Sequence, residues 1–350
     1  MPTFKAKDLV KIAASLLERA GATPEESYLV AESLVEADLC GHETHGLMRL
    51  SQYTDWLKNG RIKAGMKPIV LKEGPTTAIL DGRWGFGQVT AREAMRIALD
   101  KAQTYALGLV AAHNCNHVGR LGEYASLALS RDMIGLVLCN DYPGVAPYGS
   151  IDPLMGTNPI SIAIPTGKAK PIVLDMATSI VSGGTVRLAR LRGERIPLGW
   201  IIDKEGRPSS DPADLHGPMG VIGALLPFGG HKGSGLGIVI EILGGALAGS
   251  GCSLENKGSG LLAAAIKIDA FCPLDEFKAR VDRFIETVKS SRKAKGFEEI
   301  LMPGERAQRL REERLKKGIT LEEAVWKGIL AKASELQIDL SDSGMANKKT

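Results

Sequence analysis

Two histidines three residues apart, with a carboxylate and a hydroxyl between them, stand near the start of this chain in His42-Glu43-Thr44-His45-Gly46. Zinc ligation from one helix needs histidines four apart on an unbroken helix, and here the spacing is short and a glycine follows at once. No metal is expected at this place. Arg49 lies four residues after His45, so a helix beginning at about Thr44 would put both on one face. That pairing suits a 2-oxo acid, because a guanidinium fork grips the carboxylate while an imidazole gives a proton to the adjacent carbonyl. Tyr53 continues the face by one turn. A histidine capping a helix end and an arginine in a surface ion pair account for the same residues without chemistry.

His117 closes the polar loop Asn114-Cys115-Asn116-His117, just before a helix. A helix N-terminus lowers the imidazolium pKa and keeps the ring able to exchange protons near neutral pH, although a simple cap would look alike. His113 and His216 read as structural. No GxGxxG joins a strand to a helix, since Gly82, Gly85 and Gly87 have the wrong spacing, and no Walker A pattern occurs. The turn Gly229-Gly230-His231-Lys232-Gly233-Ser234-Gly235 offers free N–H groups and a lysine to an anion; close helix packing explains the glycines equally well.

Three N-terminal helices position the first group. Thr23-Pro24-Glu25-Glu26 has the form of a capping box with proline at the first helical position, and the third helix is expected over about residues 47–59. From about Ile69 strands alternate with helices. The apolar runs at 109–112 and 134–138 flank a helix and read as a βαβ unit, which would bring His117 and Asn140-Asp141 to the carboxyl ends of neighbouring parallel strands, where open α/β sheets hold ligands. The segments 160–164 and 172–174 look like a strand pair. The helix after Gly229 is apolar on nearly every side and is expected to be buried. Residues 264–268 read as one more strand, followed by a helix over about 273–290 and two polar helices. The organisation expected is a helical segment at 1–68 carrying substrate residues, a cofactor-binding α/β domain at 69–270, and a helical segment at 271–340 packing on the first. A disordered tail is expected at 341–350.

A formal charge of +4 over 350 residues, with no basic stripe interleaved with aromatics, argues against nucleic acid as a partner. The longest apolar stretch, 236–247, is too short and glycine-broken to span a bilayer. Five scattered cysteines without a CxxC pair point to a reducing compartment, and with no signal segment a cytoplasmic location is expected.

Several stretches in order resemble the type 2 malate/L-lactate dehydrogenases, which include sulfolactate and ureidoglycolate dehydrogenases and the cyclic-imine carboxylate reductases. They are Glu36-Ala37-Asp38-Leu39-Cys40-Gly41-His42-Glu43-Thr44-His45-Gly46 with Arg49 and Tyr53, Asn116-His117 with Gly122 and Tyr124-Ala125, and Val145-Ala146-Pro147-Tyr148-Gly149. Gly156-Thr157-Asn158-Pro159, Leu174-Asp175-Met176-Ala177-Thr178-Ser179, Gly230-His231-Lys232-Gly233 and Met302-Pro303-Gly304-Glu305 follow.

The resemblance implies a non-Rossmann α/β fold with a mixed sheet and flanking helices, binding NAD or NADP, commonly as a homodimer with its site near the subunit interface. It implies a small 2-oxo or 2-hydroxy acid as substrate. Arg49 would bind the carboxylate with Thr44 and Tyr53 nearby, His117 would transfer the proton, and His45 would orient the substrate, the two histidines being open to exchange of roles. Cofactor contacts would fall on Asp141, Leu174, Asp175, Met176, Ala177, Thr178, His231, Lys232, Pro303, Gly304 and Glu305. Thr44 stands where serine is common, Asp141 where a serine is frequent and Thr185 where a lysine is common. The segment between Gly249 and Ala264 is shorter than usual. Reduction of a cyclic imine carboxylate is the nearest alternative, and a metal-dependent hydrolase using His42 and His45 a more distant one.

Overall fold

The computed structural model describes residues 1–217 and 220–340, and the tail expected to be disordered lies outside the described residues. Helix α1 (Ala6–Arg19) buries Leu9, Ile12, Leu16 and Leu17 on one face. Helix α2 (Pro24–Leu39) begins with the expected capping box, Thr23 accepting from the Glu26 N–H while the Glu26 carboxylate accepts from the Thr23 N–H. Helix α3 runs over Leu50–Lys58, shorter than its pattern suggested, because residues 43–45 and 47–49 form two separate 3₁₀ turns. His45 and Arg49 therefore do not share a helical face.

A seven-stranded mixed sheet follows. Its strands in chain order are β1 (Ile69–Glu73), β2 (Thr77–Asp81), β3 (Leu107–Cys115), β4 (Met133–Asn140), β5 (Ile160–Ile164), β6 (Ile172–Met176) and β7 (Ser259–Lys267), in the spatial order β1-β2-β3-β7-β4-β5-β6. Strands β3 and β4 run the same way but are not neighbours. Strand β7 lies between them, antiparallel to both. Its sequence SGLLAAAIK has apolar side chains on both faces, as an interior strand needs; apolar runs alone do not reveal which strands pair. His117 and Asp141 still follow the carboxyl ends of β3 and β4, separated by the width of one inserted strand.

Helix α4 (Gly87–Tyr105) packs so closely on β3 that a Cβ on Gly108 would lie 1.9 Å from the Ala98 carbonyl oxygen. Short helix α5 (Leu121–Ser126) joins α4 over the core of the sheet. A lobe formed by residues 145–155 and 181–225, on either side of β5 and β6, has its own small core of Val145, Val186, Ile201 and Leu215, and contains α6 (Gly183–Arg192). Helix α7 (His231–Glu241) continues as a π-helical turn over 242–247. It is not buried as expected: Ile238, Val239 and Ile242 are 44%, 50% and 52% exposed, since only its Gly233, Gly237 and Ile240 side meets the body of the chain.

Helices α8 (Leu274–Ser290), α9 (Glu305–Lys317) and α10 (Glu323–Glu335) complete the chain. Ile319, Leu321, Ile329 and Ala333 share one core with Leu9, Leu34 and Leu50. Residues Thr3–Phe4 pair antiparallel with Ile319–Thr320, so the two ends of the described chain close on each other. No helix among the described residues is long and apolar enough to cross a membrane.

Candidate active site

The turn carrying His45 is held from below by Asp38, in the last turn of α2. Its Oδ2 accepts the Leu47 N–H at 2.8 Å, and its Oδ1 would lie 2.0 Å from a Cβ on Gly46. Glycine is the residue that fits. Burial pushes the Asp38 carboxyl up to about 8, opposed by the Leu47 N–H. From α9, Arg314 donates to the Asp38 carbonyl and to Glu43 Oε1, the latter at 2.7 Å. Arg49 Nε then donates to the Thr44 carbonyl at 2.7 Å and Nη1 to Gln52 at 3.0 Å. A backbone contact, rather than a helical repeat, brings the guanidinium back to the histidine turn.

His117 is fixed from the other side. The Asn116 amide group reaches the carbonyls of Arg61, Trp84 and Gly85 at 3.1, 2.8 and 3.0 Å. A Cβ on Gly87 would lie 2.5 Å from the His117 carbonyl oxygen, so α4 can begin against this loop only with glycine there. The His117 Nδ1 lies 2.6 Å from the Tyr53 hydroxyl, which receives the Gln88 Nε2 hydrogen at 2.9 Å. Gln88 is fully buried and its Oε1 has no hydrogen-bond partner among the described residues.

The structure thus brings together residues 42–53, 88 and 117. The His45 and His117 rings are stacked, with centroids 5.5 Å apart and planes 18° apart. Thr44 Oγ1 lies 3.1 Å from His45 Nδ1. Desolvation lowers His45 to about 3, and the charges of Arg49, His42 and Arg120 act the same way. Burial, then Arg49 and His45, hold His117 well below the usual histidine range. With both lowered, the two rings are neutral near pH 7. Burial raises Asp141 while its hydrogen bond from the Tyr142 N–H and the Arg49 charge oppose the rise.

Two cavities meet beside this group. The smaller, about 910 Å³, is walled by Thr44, His45, Met176 and Ala177. The larger, about 1170 Å³, is walled by Leu174, Pro303 and Gly304. His42, Arg120, Asp175 and Arg306 line both, so the two cavities adjoin along these side chains, and together they make up a trough. Asp175 accepts from the Gly122 N–H at 2.9 Å and lies 3.5 Å from Arg120 Nη1.

Other residues singled out in the sequence stand apart. Arg49, Tyr53, His117 and Asp141 are on neither cavity wall; His117 stacks on the His45 ring that does line one. Thr178 is buried and bonds the Thr157 carbonyl. His231 and Lys232 are exposed at the start of α7, the His231 ring 6.1 Å from Tyr148. The Glu305 carboxylate accepts from Lys289 at 2.6 Å and from the Met302 N–H at 3.1 Å. His42 and His45 share a wall without a third ligand, and among the described residues no group of three or more His, Cys, Asp or Glu side chains could hold a metal.

Residues 4–330 match the malate/L-lactate dehydrogenase family. The chain belongs to that family. It is 39% identical over 341 residues to a malate dehydrogenase of Pyrococcus abyssi, covering 94% of this chain and 92% of the other. To an L-sulfolactate dehydrogenase of Methanothermobacter thermautotrophicus it is 39% identical over 340 residues, covering 95% and 96%. The crystal structure of an Entamoeba histolytica malate dehydrogenase superposes with a TM-score of 0.92 at 30% identity, covering 97% and 99%.

As a member of the malate/L-lactate dehydrogenases, the chain is an oxidoreductase acting on the CH–OH group of a hydroxy acid with a nicotinamide cofactor. The trough fits such a group. Arg120, which lines both cavities, has a buried Nε with no partner among the described residues, a donor suited to an anionic oxygen.

Proposed function

We propose that this dehydrogenase interconverts a small 2-oxo acid and its 2-hydroxy acid, with Arg49 holding the carboxylate and His117 moving the proton. The observation that carries the reading is the packing of His45 between the trough and the Arg49/His117 pair. Bound in the trough, NAD or NADP would supply the acceptor or donor of hydride. Leu174, Met176, Ala177, Pro303 and Gly304 would wall it, and Arg120 would meet its phosphate oxygens. Beyond His45, Arg49 would orient the acid through paired hydrogen bonds, keeping its reacting carbon against the trough. In oxidation the neutral His117 ring takes the hydroxyl proton; in reduction the imidazolium returns it to the carbonyl oxygen. The negative charge of a bound substrate offsets the Arg49 charge that lowers His117, bringing the ring toward neutral pH.

The substrate is proposed to carry a second anionic group, as malate and sulfolactate do. Arg187 of α6 supports this. Gly184, three residues earlier and hence on the same helical face, touches Thr44, where a Cβ would lie 2.8 Å from the Thr44 Cβ. Arg187 has no acidic partner within salt-bridge reach among the described residues, and its charge bears on Arg49. Two cations facing one region favour a dianion. A homodimer is part of the same reading, with the exposed Ile238, Val239 and Ile242 face of α7 as its contact. The test is steady-state turnover of oxaloacetate, sulfopyruvate, pyruvate and a cyclic imine carboxylate with NADH and NADPH. Turnover of the imine alone, or of none of the four, would overturn the assignment.

A further inference from the structure

The buried chain Gln88–Tyr53–His117 is built around one orphaned atom. As placed, the Gln88 Nε2 donates to the Tyr53 oxygen, and the Tyr53 proton is then free to point at His117 Nδ1. That arrangement leaves the ring proton on Nε2. It is the wrong tautomer for a base, because the nitrogen away from Tyr53 has no lone pair to offer. Meanwhile Gln88 Oε1, on a residue that is fully buried, has no donor among the described residues. An unmade hydrogen bond on a buried carbonyl costs about 1–3 kcal/mol, and such atoms at functional sites call for an explanation.

Turning the amide by half a rotation reverses every hydrogen bond in the chain. Oε1 then accepts from the Tyr53 hydroxyl, the Tyr53 oxygen accepts from His117 Nδ1–H, and His117 Nε2 is left bare. Both catalytically useful forms of the ring, the neutral base and the imidazolium, carry a proton on Nδ1 and need this second arrangement. We propose that Gln88 is a positioning residue whose amide turn selects the tautomer of His117, holding a resting form in one orientation and the proton-accepting form in the other.

No atom is gained or lost in the turn. The proton between Tyr53 and His117 stays with its oxygen while the hydroxyl rotates, and the ring exchanges its Nε2 proton for one on Nδ1 through solvent. Tyr53 does not ionise in either arrangement, since burial raises its hydroxyl to about 12. The charged and titratable groups facing His117 are Tyr53 from α3, and Arg49 and His45 from the 3₁₀ turns, with Asp141 acting on Tyr53 and Arg49. None is an acceptor placed on Nδ1 except the Tyr53 oxygen.

The inference rests on His117 as the proton-transfer residue, so the experiment separates the two. Nitrogen NMR on ¹⁵N-histidine-labelled full-length protein reads the tautomer of His117 directly, without turnover. In the wild type the Nε2–H form is expected. In Gln88→Glu, which presents only acceptor oxygens when ionised, the Nδ1–H form should dominate, and the acidic limb of the kcat/KM pH profile should move upward by at least one unit. Gln88→Met, which removes both donor and acceptor, should lower kcat about tenfold or more with little change in KM. An unchanged His117 tautomer in Gln88→Glu, with an unchanged pH profile, overturns the role of Gln88. Full activity in His117→Asn overturns the proton-transfer assignment instead, and the NMR result then still decides whether Gln88 sets the tautomer.

Discussion

The imidazole rings of His45 and His117 lie face to face, 5.5 Å between centroids, and burial and Arg49 lower the proton affinity of both. The folded pKa of His45, about 3, is below the unfolded value near 6.5, so the unfolded chain binds more protons between those limits. Stability contributed by the neutral ring is present above pH 6.5 and is lost as the pH falls toward 3. His45→Asn should therefore flatten the fall of Tm between pH 6.5 and 4.5. At pH 5 the relief is at most about 2 kcal/mol, less where water reaches the ring. Thermal melts of both proteins across that range measure it, and parallel curves would contradict the assigned shift.

Asp38 gives the opposite slope. Its carboxyl is raised to about 8 from an ordinary value of 3.8, so the folded chain binds the extra proton between these pH values and stability declines as pH rises from 4 to 8. Asp38→Asn keeps an oxygen for the Leu47 N–H without the buried charge. Between pH 6 and 8 the wild type should lose about 2 kcal/mol more stability than the variant. Asp38→Ala, by contrast, leaves the Leu47 N–H without its acceptor and should cost about 1–3 kcal/mol at any pH. Urea unfolding at three pH values distinguishes them.

Arg49→Ala should reduce kcat/KM for every 2-oxo acid by about 100-fold or more, the scale of losing a paired charge-assisted contact. Arg49→Lys keeps the charge but not the fork, and also loses the Nε bond to the Thr44 carbonyl. Its activity should stay nearer that of alanine than of the wild type. Steady-state kinetics on both variants is the check, and recovery to wild-type rates in the lysine variant would argue against paired recognition.

Arg187→Met should lower the ratio of kcat/KM for oxaloacetate to that for pyruvate by at least tenfold, with Arg187→Lys recovering part of it. Equal losses on both substrates would mean that Arg187 supports α6 rather than reading a second anion. Competition by a dianion and a monoanion at equilibrium gives the same answer without turnover.

Much of this site was legible before the fold. His45, Arg49, Tyr53 and His117 were all singled out by residue type and spacing, and the structure assembles them, although Arg49 arrives through a bond to the Thr44 carbonyl rather than along a helix. Gln88 was invisible because a polar residue two positions into an amphipathic helix looks like any other until its surroundings are known. Arg314 could not be linked to Asp38 or Glu43 across more than 270 residues by any local rule. The exposure of α7 was missed because an all-round apolar pattern marks burial without saying by what. In the sheet, each strand near residues 109–112, 134–138 and 264–268 was found, while their order was not, since pairing is a long-range choice.

That order has a consequence for the newborn chain. The strands leading to His117 and Asp141 leave the ribosome early and each has one early neighbour, β2 or β5, yet each lacks its second until residues 259–267 have been made and inserted between them. A translation product halted after β6 would carry His45, Arg49 and His117 and two unpaired apolar strand edges, open to aggregation and without a formed site. The late, alanine-rich strand is the wedge that turns two separate halves into one enzyme.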